Sequence, residues 1–171
     1  MSLARFSAAW REQYVSGTGA LNNAADDDAC VFCVLADAEV GDETGVLWRS
    51  DLTYVALNAF PYGSGHLLVL PRRHVAELAE LTDAEYDDFS RAVRRCNNAL
   101  EAAYRPDGMN IGLNLGLAAG AGIPKHLHGH VLPRWNGDTN FMTTIGETRV
   151  LPESLASTWA KVHPHMDHAG G

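Results

Sequence analysis

The most regular hydrophobic pattern in the chain lies between residues 82 and 104. Apolar or aromatic residues recur there every three or four positions, which is the spacing of one helix face. They are Tyr86, Phe89, Val93, Cys96, Leu100 and Tyr104. Thr82 and Glu85 precede this face at the positions of a capping box, and Arg105-Pro106 follows it. The pattern predicts one long helix that starts after Thr82 and runs to about Tyr104.

Shorter apolar runs predict strands. The runs at 46–49 and 53–57 flank a turn at Ser50-Asp51, and two more cover 66–70 and 110–115. A further run extends from His126 to Pro133, and residues 144–150 predict an edge strand. None of these runs reaches the length of a membrane-spanning helix.

A helix is predicted near each end of the chain. Residues 2–15 carry Leu3, Phe6, Trp10 and Tyr14 at helical spacing, and residues 153–162 form a helix that starts after Pro152. Residues 16–29 are rich in Gly, Asn and Asp and form a connector, and the tail at 163–171 is expected to fray. We expect one α+β domain over residues 1–171. It has an antiparallel sheet, one long helix across a face, and terminal helices.

Three histidines occupy alternate positions in the run from His126 to Pro133. They are His126, His128 and His130. Alternate residues of a strand project from one face, about 6 to 7 Å apart, so we expect the three imidazoles on one side of the sheet. The opposite face then receives Leu127, Gly129 and Val131. Imidazoles so arranged can bracket a phosphate or a metal ion.

A loop rich in small residues leads into the histidines. It runs from Asn114 to Lys125 and includes Gly116, Gly120 and Gly122. Glycine allows backbone N–H groups to approach an anion closely. The residue order is neither that of a P-loop nor that of a dinucleotide fingerprint. Beside three histidines, the loop favours phosphate binding.

Composition and charge limit the partners. The net charge is −8 at pH 7, which disfavours a general nucleic-acid-binding face. An anionic substrate therefore needs a local site that is positive or rich in N–H groups. The first residues lack the apolar core of a signal peptide, and we expect no membrane partner. Three cysteines are too few for a disulfide scaffold, which favours a reducing cytoplasm.

Taken together, these motifs resemble the histidine-triad (HIT) family of nucleotide hydrolases and transferases. The resemblance rests on Asn114-x-Gly116, His126-x-His128-x-His130-Val-Leu-Pro-Arg134, Asn58-Ala-Phe-Pro61 and Gly65-His66-Leu-Leu-Val-Leu-Pro71. The stretches Trp10-Arg-Glu-Gln-Tyr14, Cys30-Val-Phe-Cys33, Trp135-Asn-Gly-Asp138 and Thr148-Arg-Val-Leu-Pro152 are similar to the branch that contains bacterial diadenosine tetraphosphate phosphorylases. The resemblance implies a HIT-like fold, a nucleotide substrate and a homodimer.

The resemblance also implies a catalytic set. His128, the middle histidine, would be the nucleophile, because a neutral imidazole held at its other nitrogen can attack phosphorus. His130 would stabilise charge on the phosphate or the leaving group. His66 would support the triad from behind, and His126 completes the set. For His130 and His66 the alternative is a buried, hydrogen-bonded histidine without chemistry.

A nucleotide pocket follows from the same resemblance. Asn58 matches the residue that bonds the ribose hydroxyls, although an Asn before Pro61 also suits a turn. The remaining pocket positions are Phe32, Leu35 and Leu68 for adenine, which are otherwise plain core, and Asn114, Ala121 and Gly122 for phosphate. Relatives often carry a Gln, Ser or Thr donor in that loop. With Ala121 and Gly122 there, backbone N–H groups would have to hold the phosphate.

The pair Cys30-x-x-Cys33 has the spacing of zinc ligands but supplies half of a site. The zinc-containing relatives suggest His74 and His126 as the other two ligands of a structural Cys2His2 site. Reduced thiols in the core are the alternative. Like Ala121 and Gly122, Gly129 departs from the pattern of the family. Relatives usually have a bulky apolar residue between the second and third histidines.

The leading hypothesis is an enzyme that cleaves nucleotide phosphoanhydrides through a nucleotidyl-His128 intermediate, with phosphate or water resolving it and no catalytic metal required. A dinucleoside polyphosphate such as diadenosine tetraphosphate is the expected substrate. The alternatives are an adenosine phosphoramidate hydrolase, a nucleotide-binding module without turnover, and a catalytic metal site formed by the triad itself.

Overall fold

The computed structural model describes residues 30–138 and 153–167. The strands in these ranges are β1 (Val46–Arg49), β2 (Thr53–Leu57), β3 (Leu67–Pro71), β4 (Gly108–Leu113) and β5 (Gly129–Arg134). The helices are α1 (Val31–Asp37), α2 (Asp83–Tyr104) and α3 (Leu155–Met166). The predictions for 2–15, 16–29, 144–150 and 168–171 lie outside the described residues. Among the described helices, none combines the length and the apolar character needed to cross a membrane.

The five strands form one antiparallel sheet in the order β1-β2-β3-β5-β4. Strand β5 lies between β3 and β4, so His130 has Leu68 opposite it on one side and Gly112 on the other. The α+β architecture predicted from the sequence is confirmed. The connection from β4 back to β5 is the small-residue loop.

Helix α2 covers one face of the sheet and begins where the sequence places it. The Thr82 hydroxyl accepts from the Glu85 N–H at 3.3 Å, and the Glu85 carboxylate accepts from the Thr82 N–H at 2.8 Å. This confirms the capping box. The core between α2, α3 and the sheet contains Leu47, Val55, Leu57, Leu67, Val69, Phe89, Ala92, Cys96, Leu100, Val131, Val162 and Met166.

Helix α1 packs on the opposite face, where the sequence analysis assigned no element. Phe32 and Ala36 contact side chains of β2 and β3, among them Tyr54 and Leu68. The Tyr54 hydroxyl donates to the Phe32 carbonyl at 2.6 Å, which fixes the start of the helix. Because residues opposite each other in a sheet share a face, Leu68 places His130 on the α1 side.

Several predicted boundaries are corrected. Strand β3 starts at Leu67 rather than at residue 66, and β4 spans Gly108–Leu113 rather than 110–115. Helix α3 starts after the Ser154 cap and continues to Met166, so residues 163–166 are not frayed. Proline disfavours helix interiors, and Pro164 explains the earlier predicted end. Burial of Met166 and a hydrogen bond from Arg95 to its carbonyl outweigh that cost.

Candidate active site

The three histidines do not share one strand, which corrects the prediction for 126–133. Strand β5 begins at Gly129, so only His130 belongs to it. The His128 Nδ1 donates to the His126 carbonyl at 2.8 Å, and the Leu127 N–H donates to the Val75 carbonyl at 2.6 Å. These two bonds hold residues 126–128 out of the strand ladder.

His128 is nevertheless beside His130, with ring centroids 5.1 Å apart. The Phe32 ring lies 5.2 Å from the His128 ring on the same face of the sheet. Burial lowers the pKa of His128, and its hydrogen bond to the His126 carbonyl opposes that shift. Since Nδ1 carries the proton that reaches this carbonyl, a neutral His128 has its lone pair on Nε2. That atom is chemically suited to nucleophilic attack.

His130 and His66 are joined directly. The distance from His66 Nε2 to His130 Nδ1 is 2.9 Å, and His66 Nδ1 accepts the Tyr62 N–H at 3.0 Å. The Asn114 amide lies 3.3 Å from His130 Nε2. Burial lowers the pKa of His130 to about 4, and the neighbouring His128 adds to the shift. His130 is therefore neutral at pH 7.

The predicted adenine and ribose residues lie around these histidines. Phe32 and Leu68 are buried on the α1 side, and Leu35 packs partly buried against them. The Asn58 side chain lies 3.3 Å from His66 Nδ1 and also accepts the Phe60 N–H at 2.9 Å. Asn58 therefore has the turn role weighed from sequence, and its ribose contact stays a prediction.

The small-residue loop is built on two glycines with positive φ. Gly116 and Gly120 flank a single 3₁₀ turn at Leu117–Ala119 and have φ values of 76° and 89°. The Ala121 N–H donates to the Gly116 carbonyl at 3.3 Å, so it closes the loop itself. Gly122 does not have a positive φ, and a Cβ there would meet no atom within 4 Å. Of the two predicted N–H donors, Gly122 is the better candidate.

A cluster of thiols and imidazoles lies beside His128. The ligand atoms of Cys30, Cys33, His74 and His126 all lie within 4.8 Å of one another. The Cys33 Sγ is 3.1 Å from His74 Nδ1 and 3.6 Å from His126 Nδ1, and the Cys30 Sγ is 3.5 Å from His126 Nδ1. The edges of a tetrahedron with Zn–S near 2.3 Å and Zn–N near 2.0 Å are about 3.3 to 3.8 Å. The four residues therefore fit one zinc ion.

The protonation of His126 suits a metal ligand. Its Nε2 donates to the Pro71 carbonyl at 3.0 Å, which leaves the lone pair on Nδ1, the atom that faces the thiols. Burial lowers the pKa of His126 to about 4, so the ring is neutral at pH 7. The side chain of His126 thus serves the cluster while its carbonyl holds His128.

Comparison with known proteins places this site in a family. The HIT domain matches residues 41–137, which is more than half of the chain. The chain belongs to the HIT domain family. The chain is 45% identical over 121 residues to a protein from Mycobacterium tuberculosis named AP-4-A phosphorylase, covering 70% of this chain and 62% of that one. It therefore spans less than two thirds of that relative.

Other relatives of this HIT protein carry related names. A Schizosaccharomyces pombe bis(5'-nucleosyl)-tetraphosphatase (asymmetrical) is 36% identical over 93 residues, covering 54% of this chain and 50% of that one. Among solved structures, a zinc-bound histidine triad family protein from Mycobacterium smegmatis has a TM-score of 0.66 at 25% identity. That match covers 84% of this chain and 96% of the other. A histidine triad nucleotide-binding protein from Sulfolobus tokodaii has a TM-score of 0.64 at 22% identity, with 81% and 93% covered. The predicted HIT-like fold is confirmed.

Gly129 is explained by the residue that packs on it. A Cβ at Gly129 would lie 2.9 Å from the Phe89 Cζ on helix α2. The Phe89 ring thus fills the space that a side chain at 129 would need, on the face opposite the histidines. Phe89 of helix α2 therefore fills the core behind the triad in place of a side chain at Gly129.

Tyr62 contacts two of the predicted site histidines, although no sequence motif singled it out. Its ring centroid lies 4.6 Å from that of His66 and 5.5 Å from that of His130, stacked at 28° on the latter. Tyr62 precedes His66 within the loop Pro61-Tyr-Gly-Ser-Gly65. An aromatic residue four positions before one of the predicted site histidines was the available signal.

Proposed function

We propose that this HIT protein cleaves dinucleoside polyphosphates such as diadenosine tetraphosphate through a nucleotidyl-His128 intermediate. The observation that carries the proposal is the hydrogen bond from His128 Nδ1 to the His126 carbonyl, which reserves the Nε2 lone pair for attack. The names of the M. tuberculosis and S. pombe relatives support this substrate class.

In the first step His128 Nε2 forms a bond to the phosphorus of one nucleotide. The P–O bond to the remainder of the polyphosphate breaks, and its electron pair leaves with that oxygen. His130 donates a hydrogen bond where this charge develops, which is the type of contact that lowers such barriers most. In this proposal the Gly122 N–H and the Asn114 amide nitrogen would hold the non-bridging oxygens.

In the second step an oxygen of inorganic phosphate or of water attacks the same phosphorus. The P–N bond breaks, and its electron pair returns to His128 Nε2. Phosphate yields a nucleoside diphosphate. Water yields a monophosphate and gives up one proton to the solvent. Both steps are displacements in which each group keeps a defined place, so positioning supplies a large part of the rate.

One experiment separates the reactions. Incubation with diadenosine tetraphosphate should give ADP and ATP only when inorganic phosphate is added, if the protein is a phosphorylase. AMP and ATP formed without phosphate identify a hydrolase. Tight binding of the dinucleotide without any product would refute the proposed enzyme and leave a nucleotide-binding module.

We further propose that Cys30, Cys33, His74 and His126 hold a structural zinc ion. Bound there, zinc would supply a cross-link between helix α1, the residues after β3 and the segment before β5. It is not required for the displacement at phosphorus, since His128 Nε2 is the attacking atom. The support is the fit of the four ligand atoms and the name of the zinc-bound relative.

The proposed assembly is a homodimer in a reducing cytoplasm. Strand β4 is an edge of the described sheet, and its residue Ile111 is 52% exposed, with the exposed Leu115 and Leu117 following in the loop. An exposed edge with apolar side chains is suited to pairing with a second copy. None of the cysteines at 30, 33 and 96, all within the described residues, is in a disulfide, which suits a reducing compartment. Sedimentation of the purified chain measures the oligomeric state.

A further inference from the structure

The hydrogen-bonding groups around His66 and His130 differ in whether their donor and acceptor atoms can exchange places. A backbone N–H donates only and cannot turn, whereas a neutral imidazole has two tautomers and an amide side chain can rotate by 180°. The fixed member of this group is the Tyr62 N–H, 3.0 Å from His66 Nδ1. The Asn58 amide oxygen accepts the Phe60 N–H, so its nitrogen, 3.3 Å from the same Nδ1, also donates there and agrees with Tyr62. The assignment of protons must therefore start from Tyr62.

The Tyr62 N–H determines which nitrogen of His66 carries a proton, and His66 in turn determines this for His130. His66 Nδ1 accepts the Tyr62 N–H, so the proton of a neutral His66 lies on Nε2. That Nε2–H points at His130 Nδ1, 2.9 Å away, which must then accept. A neutral His130 consequently carries its proton on Nε2, and the Asn114 amide 3.3 Å away turns its oxygen towards it.

The Tyr62 ring acts on the same two histidines. It lies against His66 at 4.6 Å and is stacked on His130 at 5.5 Å, while 40% of the residue stays exposed. Stacking restricts the rotation of both imidazoles, and the 2.9 Å bond between them depends on their orientation. One residue thus supplies a fixed donor and a packing surface to the pair.

We propose that Tyr62 is a positioning residue that sets the tautomer of His130 through His66, so that His130 presents an Nε2–H donor to the leaving oxygen. The effect of the His130 tautomer on turnover rests on the proposed function, but the tautomer itself is a property of the protein without substrate. Tyr62 acts through the two histidines.

The first test is a nitrogen-15 spectrum of protein labelled at histidine, recorded without substrate. His130 is assigned by the signal that disappears in His130→Gln. We expect its Nε2 to be protonated and its Nδ1 to be of the unprotonated type, with the same pattern for His66. A wild-type His130 protonated on Nδ1 overturns the proposal, because His66 would then have to accept on Nε2.

The second test uses Tyr62→Ala, with Tyr62→Phe as the matched control that keeps the ring. Tyr62→Ala keeps the backbone N–H but removes the ring that holds both imidazoles in place. The 2.9 Å bond between His66 and His130 should then weaken, and the His130 signals should shift towards a mixture of tautomers. The kcat for diadenosine tetraphosphate should fall by roughly tenfold, which is part of the 10²- to 10³-fold that a lost transition-state donor costs. KM should stay within about twofold, since binding does not depend on this donor. Tyr62→Phe keeps the ring and should keep the wild-type tautomer of His130. Tyr86→Ala, at an exposed tyrosine of helix α2, is the control for kcat and KM and should leave both unchanged.

If the His130 signals or kcat are unchanged in a folded Tyr62→Ala protein, the proposal is contradicted. If Tyr62→Ala does not fold, Tyr62→Leu is used in its place. A third variant, His66→Phe, keeps an aromatic ring but removes the donor, and it should lower kcat at least as much as Tyr62→Ala. A wild-type chain that turns over no dinucleotide but shows the expected tautomer refutes the proposed function alone. The spectrum therefore separates the two failures.

Discussion

At the scale of single residues, the Nδ1 of His128 donates to the His126 carbonyl, which leaves the lone pair on its Nε2. Replacing His128 by alanine should lower turnover of diadenosine tetraphosphate by at least about 10³-fold, because a covalent nucleophile is lost rather than one hydrogen bond. Nucleotide affinity and thermal stability should change little. Steady-state kinetics and calorimetry measure the three quantities. His165→Ala, on helix α3, is the matched control, and a His128→Ala protein with a tenth of wild-type activity would disprove the assignment.

Gly122 offers a second test at this scale, because a side chain can be added without strain or collision. In Gly122→Asp a carboxylate would face the bound phosphates at a few ångströms, which costs on the order of 4 kcal/mol at an effective dielectric near 20. Affinity for a non-hydrolysable dinucleotide should therefore fall by about a hundredfold or more. Gly122→Ser adds a donor in the same space and should cost far less. Equal affinities in calorimetry would mean that the loop does not touch the phosphates.

At the scale of elements, helix α2 and strand β5 meet at Phe89 and Gly129. Gly129→Ala brings a Cβ to 2.9 Å from the Phe89 ring, and overpacking of this kind typically costs about 1 to 3 kcal/mol. The free energy of unfolding in urea should fall by that amount. Phe89→Leu should be less harmful in the Gly129→Ala background than alone, which a double-mutant cycle detects. Gly112→Ala on β4, where a Cβ meets nothing within 4 Å, is the control and should not destabilise.

The start of helix α2 carries a pH-dependent interaction. Arg73 bonds the Glu85 carboxylate at 2.8 Å through two nitrogens, and with the Thr82 N–H it lowers the pKa of Glu85 to about 2. The pKa of Glu in an unfolded chain is near 4.3. The ionised Glu85 therefore contributes fully to the stability of the fold above that pH, and this contribution is lost as the pH falls towards about 2. The Glu85 side chain is 9% exposed, but Arg73 is half exposed, so solvent screens the pair and reduces its contribution to the free energy of unfolding.

Glu85→Gln tests this interaction, since glutamine keeps the capping box but not the charge. The variant should be less stable than the wild type at pH 7, and the difference should shrink steadily between about pH 4.5 and 3. Urea unfolding over this range provides the measurement. Glu39→Gln removes an exposed partner of Arg49 and should change stability by less than about 0.5 kcal/mol. A difference between Glu85→Gln and wild type that is constant with pH would contradict the explanation.

At the scale of the whole molecule, the cysteine–histidine cluster links three separate parts of the chain. Protein purified without chelator should contain about one zinc per chain by elemental analysis. Removal of the ion should lower the thermal midpoint, because a ligand of the folded state stabilises it. Cys33→Ser should lose the zinc, whereas Cys96→Ala, which changes a buried thiol elsewhere, should keep it. Absence of zinc together with freely titratable Cys30 and Cys33 thiols would leave the reduced-core interpretation.

The sequence by itself determined the elements whose signals are local. The capping box at Thr82 and the spacing up to Tyr104 predict helix α2 to the residue, because both depend on contacts within a few positions. The turn at Ser50-Asp51 and its two flanking strands are likewise set by short-range pattern. The histidine spacing and its family resemblance predicted the candidate site and the four residues of the metal cluster.

Only the tertiary structure decided which atoms of those residues act. Alternation in the sequence predicted one strand with three equivalent histidines. The protein instead turns the His126 side chain to the cysteines and gives its carbonyl to His128. The same holds for Gly129, whose missing side chain makes sense only against Phe89, and for Tyr62, whose contacts depend on β3 and β5 being neighbours. Each of these depends on residues far apart in the chain, and local periodicity carries no information about such distances.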